Sequence, residues 1–147
     1  MITSTDELMC KLACQDLVYL FAKYRDKPHE CSIDEVLSED AELLGSGVAM
    51  RGPEVRQRME SGAKYPFNLI HIFTNVVITQ TGPDSARGCG YLLEYTVRKS
   101  ADEALPQPMP DKPRLVGDRL FEFRRTEAGW RMTRYQMSPV LSEQAHH

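Results

Sequence analysis

The stretch YPFNLIHIFTNVVITQ, residues 65–80, decides the fold of this protein, because its apolar and β-branched side chains recur with the period of two that is typical of a strand. One titratable residue, His71, lies in the middle of it. A buried imidazole needs hydrogen-bond partners for its ring nitrogens. His71 is therefore either a structural residue with satisfied nitrogens, or a residue that faces a cavity where its proton is used.

The residues before this stretch follow a helical period instead. Ser4 and Glu7 have the spacing of a capping box, and apolar residues then recur at helical spacing as far as Tyr24. This first helix is expected to end near Asp26, because Pro28 disfavours its continuation. The rest of this half is predicted as a short second helix through Leu37, a strand at 40–48 and a third helix from Pro53 to Gly62.

Further strands are predicted after the first long one. They lie at 85–99, 114–126 and 129–138, separated by short turns and by a proline-rich segment at 100–113 that is either a stiff exposed excursion or part of a pocket rim. Helices followed by strands, without βαβ alternation, predict an α+β fold with a mostly antiparallel sheet. Such strands can curl around the first helix and leave a pocket between the concave face of the sheet and the helices.

The whole chain is predicted to be a single domain. A length of 147 residues is sufficient for one hydrophobic core, and no composition shift marks a boundary between domains. The folded core is expected at about residues 6–138. The tail at 139–147 is expected to be either disordered or derived from an expression tag.

Composition and charge exclude several classes of function. A net charge of −3 and a pI near 5.8 provide no electrostatic footprint for nucleic acid or an anionic membrane. No segment approaches the roughly 18 consecutive apolar residues of a membrane span. The four cysteines show neither C-x-x-C spacing nor accompanying histidines, so no metal site is predicted. With no visible signal peptide, we expect a cytoplasmic protein with reduced thiols.

The order of these elements and a set of loose motifs resemble the SnoaL-like branch of the nuclear transport factor 2-like (NTF2-like) superfamily. The residues that carry the resemblance are Phe21, Asp26, Asp40-Ala41, Gly52, His71 with Thr74-Asn75, Gly129-Trp130-Arg131 and Arg134. The resemblance implies a cone-shaped, cystatin-like fold, whose N-terminal helices pack in the concave face of a curved sheet. It also implies frequent homodimers and chemistry without a cofactor.

The activity that this resemblance implies is that of a dehydratase, cyclase or isomerase. Its substrate would be a small hydrophobic, oxygenated molecule such as a polyketide or a steroid-like compound. Many members of the superfamily instead bind ligands without catalysis, so a ligand-binding module and a dimerisation module remain open as alternatives. Neither nucleic acid nor a membrane is an expected partner.

The resemblance also implies that His71 and Asp26 are the acid–base pair. An aspartate that accepts the Nδ1 proton of a histidine fixes its tautomer and leaves Nε2 free as a base, with a pKa suited to neutral pH. The less specific candidates for substrate binding are Tyr24, Tyr91, Tyr95, Arg119 and Arg134. Among these, Arg119 is expected to point inward if Phe121 and Phe123 are core, where it would suit a carboxylate or an enolate oxyanion.

Strand alternation predicts which side chains share the face of His71. The predicted inner set is Leu69, His71, Phe73, Asn75 and Val77, and the predicted outer set is Ile70, Ile72, Val76 and Ile78. A meander has no helices to cover an apolar outer face. We therefore expect a homodimer in which two copies of the sheet pack back to back.

Overall fold

The computed structural model describes residues 1–62, 64–99 and 105–142, which form two helices and one sheet. The elements in chain order are α1 (Thr5–Asp26), a 3-10 turn (Ile33–Glu35), β1 (Leu37–Gly45), β2 (Val48–Arg51), α2 (Pro53–Gly62), β3 (Phe67–Gly82), β4 (Ser85–Arg98), β5 (Leu115–Thr126) and β6 (Gly129–Ser142). The predicted bounds of the first and third helices and the four long strands agree with these to within a few residues.

The six strands form one mixed sheet in the order β2-β1-β6-β5-β4-β3. Every neighbouring pair is antiparallel except β1 and β6, which run parallel. Because β2 and β3 are both edge strands, the sheet is open rather than closed into a barrel. The predicted α+β architecture, with helices packed on a mostly antiparallel sheet, is confirmed.

Helix α1 is capped at its beginning and ends at the predicted residue. The Ser4 hydroxyl accepts a hydrogen bond from the Glu7 backbone N–H at 3.1 Å, as a capping box requires. The Glu7 carboxylate, however, accepts from the Thr3 backbone N–H at 2.8 Å rather than from that of Ser4. The last residue of the helix is Asp26, and its side chain therefore leaves the helix where α1 meets the sheet.

An aromatic cluster fixes α1 against the concave face of the sheet. The Phe21 ring lies 4.7 Å from that of Tyr135 on β6, centroid to centroid. Phe121 on β5 is 5.8 Å from both Tyr135 and Phe73. Such tilted and edge-on contacts are the preferred geometries of aromatic pairs, and they add to the burial of the rings. The core therefore lies between α1 and the inner face of β3, β5 and β6, which are the strands that carry these rings.

Two predicted elements of the N-terminal half differ from the structure. The second capping box begins only a 3-10 turn, since Leu37 already belongs to β1. The predicted single strand at 40–48 is a hairpin, because Ser46 and Gly47 both have positive φ and connect β1 to β2 as a two-residue turn. At the other end β6 continues to Ser142, so residues 139–142 are part of the sheet. Residues 143–147 of the predicted tail and 100–104 of the proline-rich segment lie outside the described residues.

A β-bulge in β3 exchanges the two faces of this strand. The pairing with β4 shifts register between Thr74 and Val77, and Asn75 adopts a left-handed φ of 55°. Before the bulge Phe73 is buried, but after it Ile78 is buried and Val77 is exposed. The predicted alternation was therefore wrong beyond residue 74, because one extra residue reverses which side chains point inward.

The left-handed backbone at Asn75 gives a test of the bulge. Asparagine tolerates this conformation, whereas a β-branched side chain does not. We expect Asn75→Val to lower the free energy of unfolding by about 1–2 kcal/mol, and Asn75→Gly to be close to neutral. Denaturant unfolding of the three proteins measures both values. Equal stability of the valine and glycine variants would contradict a left-handed residue at this position.

Candidate acid–base site

The structure brings His71 and Asp26 into direct contact. The Nδ1 atom of His71 lies 2.5 Å from Oδ1 of Asp26. The His71 backbone N–H also donates to both carboxylate oxygens, at 3.1 Å and 3.0 Å. The carboxylate at the end of α1 is thus held by the backbone and the ring of the same β3 residue, which orients the imidazole and leaves its Nε2 atom pointing away from Asp26.

The second nitrogen of His71 faces another carboxylate. Glu94 on β4 pairs directly opposite His71 in the sheet, and its Oε2 atom lies 3.5 Å from Nε2. The Glu94 carboxylate also accepts from Nε of Arg114 at 2.7 Å. The sequence-based expectation of a free Nε2 was therefore wrong, because cross-strand register places an acid beside it.

Two carboxylates favour the charged form of His71. Burial of the ring by itself would lower the pKa of His71, but the hydrogen bonds and charges of Asp26 and Glu94 outweigh it and raise that pKa above its ordinary value. Burial would in turn raise the pKa of Glu94, yet the imidazolium and Arg114 lower it to about 2. The surroundings of His71 thus favour its charged form, and Glu94 is an anion near neutral pH.

A small cavity adjoins this group on the inner side of the sheet. Its volume is about 90 Å³, well below the roughly 300–1,000 Å³ of drug-sized ligand sites. The residues that line it are Phe21, Arg25, Leu43, Val48, Arg58, Met59, His71, Leu92, Glu94, Arg119, Tyr135 and Met137. A cavity of this size does not accommodate a polyketide or a steroid-like ring system.

Arg119 points inward as predicted. It is 4% exposed, and the neighbouring core positions Phe121 and Phe123 are also buried. Its Nε donates to the Tyr135 hydroxyl at 2.8 Å, and the guanidinium lies 5.7 Å from the centre of that ring. Arg119 and Tyr135 both line the cavity beside His71.

The other predicted substrate-binding residues do not meet His71. Tyr24 is buried in the core and does not line the cavity. Tyr91 is 47% exposed on the outer face of the sheet, and Tyr95 pairs opposite the exposed Ile70 on that same face. Tyr91 and Tyr95 do not face the cavity, because the inward positions of β4 are those of Leu92 and Glu94.

Arg134 also lies on the outer face of the sheet. It forms ion pairs with Glu122 on β5 at 3.1 Å and with Glu42 on β1 at 3.4 Å. All three residues occupy the same register across neighbouring strands. Its position as a cross-strand partner of two carboxylates excludes it from the cavity.

Sequence reasoning missed three charged residues of this site. Strand alternation already placed Glu94 on the same face as the apolar Leu92. Its pairing with His71, however, depends on the register between β3 and β4. Arg25 and Arg58 come from the end of α1 and from α2, and both line the cavity. Their convergence depends on how the helices dock, which no local pattern encodes.

The part of the chain that the structure describes contains neither a candidate metal site nor a candidate membrane-spanning helix. No three or more His, Cys, Asp or Glu side chains converge in an arrangement that would hold a metal ion. No helix there has the length and apolar character that crossing a membrane requires.

The chain is thus an α+β protein with an open sheet, in which a helix-end aspartate is bonded to a strand histidine beside a cavity. The chain matches the SnoaL-like domain family over residues 6–136, and it belongs to that family. A Novosphingobium aromaticivorans protein whose name suggests an aromatic ring hydroxylase is 29% identical, with 91% of each chain covered and a TM-score of 0.70.

More distant solved structures share the fold. An NTF2-like protein with a cystatin-like fold from the same bacterium is 19% identical, over 94% of this chain and 85% of that one, with a TM-score of 0.64. The hexachlorocyclohexane dehydrochlorinase LinA-type3 of Novosphingobium barchaimii is 17% identical, over 99% and 98% of the chains, with a TM-score of 0.66. No curated protein matches the sequence significantly. The NTF2-like architecture predicted from the sequence is confirmed.

The raised pKa of His71 predicts a pH dependence of stability. Because its pKa in the folded protein lies above the unfolded value of about 6.5, the stabilisation is fully present below that pH and is lost as pH rises through the folded pKa. The difference in Tm between the wild type and His71→Gln should therefore shrink from pH 5 to pH 9. His29→Gln, which removes an exposed imidazole, is the matched control. A difference for His71→Gln that stays constant over this range would contradict the raised pKa.

Proposed function

We propose that this protein is a cofactor-independent acid–base enzyme, a dehydratase, cyclase or isomerase of small oxygenated molecules, in which His71 and Asp26 form the proton-transfer pair. The observation that carries the proposal is the 2.5 Å contact between Nδ1 of His71 and Asp26, beside a cavity that the ring also lines. The dehydrochlorinase name of one fold neighbour adds support for an elimination reaction.

The two carboxylates beside His71 favour its charged form, and this sets the direction of the first proton transfer. An imidazolium donates, so His71 acts first as the general acid through Nε2, and Asp26 holds the ring and its charge. Glu94 is the carboxylate that lines the same cavity, and it serves as the base. Its low pKa arises largely from the charge of His71, so its basicity increases as His71 gives up its proton.

Glu94 and His71 together can take up and supply every proton that a dehydration requires. The Glu94 carboxylate takes the proton from carbon, a carbon–carbon double bond forms, and the carbon–oxygen bond breaks. The departing oxygen takes the Nε2 proton of His71 and leaves as water. Glu94 then returns its proton to Nε2 across the 3.5 Å gap, which restores the resting state. Arg119 stabilises the oxyanion that develops on an adjacent carbonyl.

A second candidate is a ligand-binding module without catalysis. Its cavity would take only a very small ligand, because Arg119 and Tyr135 fill much of the interior, and a chain that binds no ligand at all would instead be a dimerisation module. Binding of small ligands without turnover of any of them would support this alternative over the enzyme.

The catalytic proposal is tested with a panel of small β-hydroxyketones such as 4-hydroxy-2-butanone, whose loss of water produces an ultraviolet-absorbing enone. We expect His71→Ala to reduce turnover at least about a hundredfold, and Asp26→Asn to impair the same step. His71→Ala should remain folded, because the backbone N–H of residue 71 still donates to Asp26, with a loss of Tm no larger than that of His71→Gln.

The control for this experiment is Tyr91→Phe, which changes an exposed hydroxyl on the outer face. It should leave both turnover and Tm unchanged. Unchanged turnover of His71→Ala together with a large drop in Tm would make His71 a structural residue and remove the catalytic proposal.

We also propose that the protein is a homodimer that buries the outer face of the sheet. Exposed apolar side chains cluster there, at Ile70, Ile72, Val77, Tyr91 and Leu120. Val76 and Ile78, which the sequence placed in this set, turn away from it because of the bulge at Asn75. A second copy of the same face would cover the patch through a two-fold contact. The cytoplasmic location rests on the sequence and stays a prediction.

Light scattering at micromolar concentration tests the dimer. We expect the mass of two chains for the wild type and of one chain for Leu120→Glu, because a charge within an apolar contact is costly to bury. Leu8→Glu alters an exposed leucine on α1 instead and should remain dimeric. A monomeric wild type would disprove the proposed interface.

A further inference from the structure

The cavity beside His71 is surrounded by more positive charge than its carboxylates balance. Arg25 from α1, Arg58 from α2 and Arg119 from β5 all line it, and Glu94 is the one carboxylate among its described lining residues. That carboxylate is already engaged by His71 and by Arg114 outside the lining. Three guanidinium groups from three separate elements therefore converge on a space that holds no free counter-charge.

Arg119 is the most deeply buried of the three. Its Nε donates to the Tyr135 hydroxyl and its Nη1 to the carbonyl of Asp118, both at 2.8 Å. Both partners are uncharged, and Nη2 has no hydrogen-bond partner among the described residues. A buried guanidinium is costly unless an anion pairs with it.

Glycine at position 117 leaves room for this guanidinium. A Cβ at Gly117 would lie 2.8 Å from Nη1 of Arg119 and 2.9 Å from the backbone oxygen of Ser138. The chain thus leaves space for a buried cation without supplying an acid to neutralise it.

The other two arginines also lack acidic partners. Arg25 donates to the thioether sulfur of Met59 at 3.3 Å, and a thioether is only a weak acceptor. Arg58 is exposed and forms no ion pair or hydrogen bond with the described residues. By contrast, Arg56 and Arg124 each pair with an aspartate elsewhere in the molecule. None of the three arginines that line the cavity forms an ion pair with a described carboxylate.

We propose that this cavity binds a small organic carboxylate and that Arg119 is the residue that recognises it, an inference that rests on the function proposed above for the same site. The planar guanidinium matches a carboxylate in two-pronged geometry, which gives both affinity and orientation. A volume of about 90 Å³ restricts the ligand to a few non-hydrogen atoms. The substrate class is therefore a short-chain hydroxy acid or oxo acid rather than a large neutral ring system.

The experiment compares small carboxylates with uncharged analogues of the same shape. Acetate and 3-hydroxybutyrate, and separately acetamide and 3-hydroxybutanamide, are titrated into the full chain at constant ionic strength. The ring-proton signals of His71, assigned with His71→Gln, report binding at this cavity by NMR. We expect each carboxylate to bind at least tenfold more tightly than its amide.

Single substitutions of arginines identify the residue that is responsible for the preference for carboxylates. Arg119→Met should abolish the preference for carboxylates, because it removes the guanidinium that would pair with the ligand. Arg58→Met, at the exposed rim, should weaken carboxylate binding. It tests the same inference if Arg119→Met does not fold. Arg87→Met removes an exposed arginine of the outer face and should leave the preference intact.

Two results would overturn the inference: equal binding of carboxylates and amides by the wild type, or a preference that survives in Arg119→Met and in Arg58→Met. Turnover separates this outcome from the proposed function. Dehydration of neutral β-hydroxyketones without any preference for carboxylates would keep the acid–base function and remove the carboxylate site. Selective binding of carboxylates without turnover of any compound would keep the site and remove the catalysis.

Discussion

The contact between Asp26 and His71 is the interaction on which the rest of this structure depends. It joins the last residue of a 22-residue helix to an edge strand of the sheet through both the backbone and the side chain. The aromatic cluster around Phe21 holds the middle of the same helix against the sheet. Together these contacts determine the angle at which α1 covers the concave face, and therefore the shape of the cavity beneath its C-terminal end.

The electrostatics of the site follow from the same geometry. A single carboxylate partner would leave the distal nitrogen of His71 as a base, in the manner of a catalytic triad. The presence of Glu94 on the neighbouring strand changes this, because an imidazole between two carboxylates holds its proton. The imidazole of His71 and the carboxylate of Glu94 are thereby held within 3.5 Å of each other, and each favours the charged form of the other.

Size and charge together restrict what the cavity accepts. The interior is partly filled by Arg119 with its Tyr135 partner, and Arg25 and Arg58 approach from the helices. Side chains rather than the backbone therefore set the chemistry of this cone. The same open sheet could accept a different ligand if these arginines were replaced by smaller apolar residues.

The sequence by itself determined the features that depend on local order. Period, caps and turn residues predicted α1 to its last residue, the four long strands and the inward direction of Arg119, because each depends on neighbours within a few positions. Only the tertiary structure decided the pairing of His71 with Glu94, the reversal of faces at Asn75 and the outward direction of Tyr91. The physical reason is that register, bulges and helix docking arise from contacts between residues far apart in the chain, and a shift of one residue in a strand reverses every side chain beyond it.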